Sequence, residues 1–76
     1  MRLTELHENL HALRAGLAEE LHSISRIEGQ MARLTDDGAQ EELRRIADEK
    51  KGHAAALLRH IARLDPKFGE RLGLGG

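Results

Sequence analysis

Lys50 and His53, in the stretch ADEKKGHAAALLRHIARLDP (47–66), stand where a helical repeat asks for apolar side chains. Residues three or four apart share one helix face, so an ammonium and an imidazole enter the same seam. If the chain folds back on itself, Glu20 supplies a carboxylate at the same level. Carboxylate and imidazole are the donor types that hold iron, zinc or manganese inside helical bundles. Glu49, one turn before His53, is on nearly the same face and could stand in as a further ligand. The same residues also support a metal-free reading. Glu20 and Lys50 would then form an ion pair, and His53 a hydrogen-bonded polar residue, the layer serving to set register. Both readings are open at the level of residue types.

Other chemistry is sparse. His7 and His11 are four apart and could share a metal, whereas His22 and His60 are expected at solvent or at a rim. Glu19, Glu28, Glu41, Glu42, Arg44 and Arg45 read as solvated faces with some i,i+4 pairing. The absence of cysteine excludes a disulfide, a thiolate metal site and a thiol nucleophile. Ser23 and Ser25 lie in no nucleophile elbow, and the GLGG at 73–76 precedes no helix that could cradle a phosphate.

The elements that must position the polar layer follow from periodicity. From Leu3, large apolar residues recur at Leu6, Leu10, Leu13, Leu17, Leu21, Ile24, Ile27, Met31 and Leu34. Unbroken steps of three and four predict an amphipathic helix over 4–34, with Thr4 as N-cap. Gly16 and Gly29 inside it cost about 1 kcal/mol each against alanine, unless they allow close helix approach. TDDG (35–38) predicts the turn, with Asp36 or Asp37 capping the next helix. That helix is expected over 39–64, with a seam of Leu43, Ile46, Lys50, His53, Leu57, Ile61 and Leu64. Asp65-Pro66 ends it, and 65–76 reads as a short packed turn and a frayed tail.

The expectation is therefore all-α: one domain, 1–76, folded as an antiparallel two-helix hairpin. A turn centred near Asp37 places His53 level with Glu20 and Leu21, and Lys50 level with Ile24. A chain of 76 residues with Phe68 as its one aromatic is lean for an independent core. Two hairpins back to back would complete a four-helix bundle, so a homo-oligomer is expected. A net charge of −1 with both signs interspersed argues against nucleic acid. No apolar run approaches the roughly 20 residues of a membrane span, and MRLTELHENL is too polar for a signal peptide. The default expectation is a soluble cytosolic protein.

EEL (19–21) followed by DEKKGHAAALLRHIARLDPKFGERL (48–72) resembles the encapsulated ferritins, over about residues 6–72. These are small two-helix, ferritin-like proteins carried inside encapsulin nanocompartments. Their pattern has an acidic pair on the first helix, a Glu-x-x-His in a DEEKEHA-like run, two leucines, and DP-x-F after the second helix. Glu20 and His53 match it with no insertion between them. The resemblance implies a ring of dimers, with a di-iron ferroxidase centre built between subunits from such glutamates and histidines. It implies oxidation of Fe(II) for storage, with the encapsulin shell as partner and its lumen as location.

The departures matter as much. Lys50 occupies the position of the glutamate in Glu-x-x-His, Ile27 replaces an aromatic, and His22 and Gly52 stand where the family tends to be acidic. The family's extended C-terminal helix is missing. The closing RLGLGG has the Gly and Leu content of encapsulin-targeting tails, and is equally read as a truncated end. In a dimeric centre two Glu20 and two Lys50 cancel before any metal arrives. Two divalent ions would then leave about four uncompensated positive charges in a poorly solvated layer, a prohibitive cost. Iron as the cofactor would require Lys50 to swing away or lose its proton, with Glu49 taking the ligand role. Without that, the layer holds no metal, ferroxidase activity is absent, and the protein is an oligomeric helical scaffold or cargo.

Overall fold

A computed structural model describes residues 1–73; Leu74 to Gly76, on which the targeting-tail reading partly falls, lie outside the described residues. The described chain is helical throughout, in the order α1 (Leu3–Met31), α2 (Asp37–Leu64) and α3 (Pro66–Leu72). The two long helices pack against each other as an antiparallel hairpin, and α3 folds onto the end of α2. The molecule measures 51 × 24 × 14 Å. A helix with its side chains is about 10–12 Å across. The hairpin is thus two helices wide and one helix deep.

The seam follows a stricter rule than large apolar residues alone. On α1 the buried or half-buried positions include Leu6, Leu10, Leu13, Leu17, Glu20, Ile24, Ile27 and Met31. On α2 they include Gln40, Leu43, Ala47, Lys50, Ala54, Leu57, Ile61 and Leu64. Both sets alternate steps of three and four, the pattern that keeps one stripe facing a partner helix. Two expected seam members move accordingly. Leu21 is 52% exposed, and Glu20 takes its place inside. His53 is exposed on the flank of the seam, and Ala54 is buried there instead. Ile46, also expected in the stripe, is half-buried beside the enclosed Ala47. Ala47 and Ala54 are small members of that stripe, and both are enclosed.

The helix ends differ from expectation by local chemistry. Thr4 lies inside α1; the N-cap is Arg2, whose side chain makes no capping bond. At the other end α1 stops at Met31 rather than Leu34, because the last turn tightens: Arg33 N donates to the Gln30 carbonyl (3.0 Å) and Leu34 N to that of Met31 (3.2 Å). Gln40 then closes the connection from α2. Its amide donates to the Leu34 carbonyl at 2.6 Å and the Met31 carbonyl at 3.4 Å, satisfying groups a helix end leaves free. Asp36 caps α2 as expected, accepting from Ala39 N at 2.8 Å. The helix therefore begins at Asp37, and Gly38 is helical rather than part of the turn.

Beyond Leu64 the expected packed turn is a helix of seven residues. Asp65 organises it with both carboxylate oxygens: Oδ1 accepts from Phe68 N at 3.3 Å, and Oδ2 from Arg14 Nη2 of α1 at 3.0 Å. Pro66 opens α3 where its missing N–H costs nothing. Gly69 is buried against α2, and a Cβ there would come within 2.9 Å of the Ala62 carbonyl oxygen. Gly73 ends the helix at φ +75°, a conformation that favours glycine.

Two alanine substitutions should therefore act in opposite directions. Gly29 has open space around it, so Gly29→Ala should stabilise by about 0.5–1 kcal/mol through helix propensity. Gly69→Ala should push α3 off α2 and lower the melting temperature. Thermal melts followed by circular dichroism give both signs. Equal shifts in the same direction would show that α3 does not dock as described.

Candidate functional site

Midway along the hairpin the apolar stripe of α1 is interrupted by Glu20, and the facing stripe of α2 by Lys50. The expected antiparallel register holds: Gly16 faces Leu57, Glu28 reaches Lys51, and Glu20 lies between Lys50 and His53. Lys50 Nζ is 3.4 Å from Glu20 Oε2, and the two side chains retain only 27% and 22% exposure. The other carboxylate oxygen, Oε1, is 3.8 Å from His53 Nδ1. One carboxylate is thus shared between an ammonium within the seam and an imidazole outside it.

The two contacts are not equivalent. Lys50 reaches Glu20 within the half-buried interface, where its head meets the carboxylate. Poor solvation strengthens that pair relative to a surface one. His53 is 65% exposed and beyond hydrogen-bond distance, so its contact with Glu20 is electrostatic, and only when the ring is protonated. No buried side-chain polar atom among the described residues lacks a partner.

Glu49 does not join the layer. It lies on the solvent side of α2, 59% exposed, with Oε1 3.2 Å from Arg45 Nη1. Glu42 takes the other end of the same guanidinium. The hydrogen bond and charge of Glu42, followed by the charge of Glu49, hold Arg45 above its ordinary pKa. Glu49, expected as a stand-in ligand, is thus engaged by Arg45 at the surface. Nor do three or more His, Asp or Glu side chains converge anywhere among the described residues in a geometry that could hold a metal ion.

Glu20 and His53 alone make a poor fit to a di-iron centre. They give one carboxylate and one imidazole per chain, and the carboxylate already faces a positive charge 3.4 Å away. A divalent ion at Glu20 would sit against that ammonium in a half-buried layer, where repulsion is weakly screened. The chemistry the arrangement supports is charge neutralisation across the helix interface. No family model, curated protein or solved structure matches the chain.

Removing only the ammonium should expose the cost of the carboxylate. Lys50→Met should destabilise the fold by about 1–2 kcal/mol, since Glu20 is left half-buried without its partner. Lys50→Met combined with Glu20→Leu should recover most of that loss, as paired replacements of this kind often do. Urea melts of the four proteins in this cycle give the coupling; additive losses would show that the two side chains do not act as a pair.

Proposed function

We propose that this chain is an encapsulin cargo protein of the encapsulated-ferritin kind whose metal layer has become a structural ion pair. It acts as half of a helical bundle, completed by a second copy, and handles no iron at the Glu20 position. The observation that carries this reading is the 3.4 Å approach of Lys50 Nζ to Glu20 Oε2 inside the seam. Lys50 supplies, in covalent form, the positive charge that a divalent ion would bring to that carboxylate.

The shape supports association. A layer one helix deep leaves both flat sides of its seam at the surface, and Leu13, Ile46, Leu57 and Leu64 are only half-buried. A second hairpin would cover one such side and bring two Glu20–Lys50 pairs into one interior, neutral as a set. His53, on the flank of the seam, would lie at the junction between the copies. The encapsulin shell as partner and its lumen as location rest on the resemblance of residues 19–21 and 48–72. No helix among the described residues is long and apolar enough to cross a membrane.

Sedimentation at micromolar concentration should give a dimer or a larger ring; a compact, folded monomer would overturn the bundle. Lys50→Glu converts a neutral layer into one of four carboxylates per dimer. It should melt below wild type without metal and be restored by Fe(II) under anaerobic conditions, because an ion that binds only the folded state stabilises it. Wild type should show no such gain. A rise of several degrees for wild type, with no larger rise for Lys50→Glu, would mean that the native layer is a working iron site.

A further inference from the structure

His7 and His11 lie outside the polar layer and on a different part of α1. They are one turn apart in the second and third turns of α1, which begins at Leu3. An i,i+4 separation is about 6 Å along the axis and about 40° around it, so the two rings rise from one face. Both residues are exposed. Among the described residues neither imidazole enters a side-chain hydrogen bond or ion pair, whereas His53 faces Glu20 and His60 Nδ1 is 3.2 Å from Arg63 Nη2. With Leu3, Thr4 and Glu8 they line a shallow groove.

We propose that His7 and His11 form a chelating site for a late first-row divalent cation, with copper(II) held more tightly than zinc(II). Two neutral imidazoles at this spacing can bring ring nitrogens to about 2.0–2.1 Å from one ion, as paired histidines one helical turn apart do in zinc sites. Imidazole donors favour copper over zinc in the usual divalent order. Glu8, in the same groove, adds negative charge near the ion without converging as a third ligand, so water fills the remaining positions. The binding form of each ring is unprotonated, and binding is therefore lost in acid.

Ligation at this place has a structural consequence. The first turn of α1 has no side-chain cap, and helix starts without one are prone to fray. An ion bridging His7 and His11 clips the second and third turns together and holds the start of α1 in its helical form. The site is independent of the Glu20–Lys50 layer, which lies further along the same helix.

The test is titration of the full-length protein with copper(II) near neutral pH, followed by visible absorption and calorimetry. Wild type should bind one equivalent at this site and gain melting temperature. His7→Gln and His11→Gln should each weaken that binding roughly tenfold or more, and His53→Gln should leave it unchanged. The paired change His11→Ala/Ala12→His keeps the number of histidines but turns the second ring to another face, and should weaken binding as much as His11→Gln. Copper(II) bound equally well by the spacing variant, or retained undiminished at the Met1 amine in all variants, would overturn the proposal.

Discussion

A single carboxylate placed between two apolar stripes constrains the rest of this structure. The stripes themselves discriminate poorly among registers. Leu6, Leu10, Leu13 and Leu17 on one side of Glu20, and Ile24, Ile27 and Met31 on the other, would pack acceptably if the helices slid by a heptad. Glu20 would not, because sliding leaves it half-desolvated opposite an alkyl group. At the observed level Lys50 meets it within the seam, 3.4 Å away, and His53 approaches from the flank. The ends of the hairpin agree with that level: Gln40 closes the loop at one end, and Arg14 binds Asp65 at the other.

The thinness of the fold makes this economy necessary. A layer 14 Å deep encloses few side chains, with Ile61 the most covered at 2% exposure. Small residues do much of the packing: Ala47 and Ala54 under the crossing of the long helices, Ala62 and Gly69 where α3 docks. A core of this kind gains little from each contact and depends on many being in place together. In the proposed bundle a second copy would add the burial that one hairpin lacks. The neutral Glu20–Lys50 pairs would then introduce no net charge into the shared interior.

Much of this was legible in the residues. The hairpin, its Asp36 cap, its Asp65-Pro66 stop and the meeting of Glu20 with Lys50 and His53 all follow from periodicity and turn chemistry. The misplacements have one cause, which is ranking positions by side-chain size. Leu17, Leu21 and Ile24 look like a seam, but alternating steps of three and four select Glu20. The same alternation passes over Ile46 and His53 in favour of Ala47 and Ala54. Phase outweighs hydrophobicity in a two-helix seam, since a residue off the stripe cannot face the partner whatever its size. Glu49, expected as a stand-in ligand, instead pairs with Arg45, four residues earlier, a contact available within one helix. The seven-residue α3 carries local cap signals in Asp65, Pro66 and Gly73, which read equally as the stop of α2, while its docking through Gly69 on Ala62 is a contact that no local pattern displays.

In the proposed reading, an ammonium occupies the charge position of a metal ion. Anaerobic equilibrium dialysis against Fe(II), comparing wild type with Lys50→Glu, tests it most directly. The account predicts no stoichiometric iron in wild type at the Glu20 layer, and iron retained by the glutamate variant and released when Glu20 is changed to glutamine in that background. Stoichiometric Fe(II) held by wild type and lost in Glu20→Gln would contradict it.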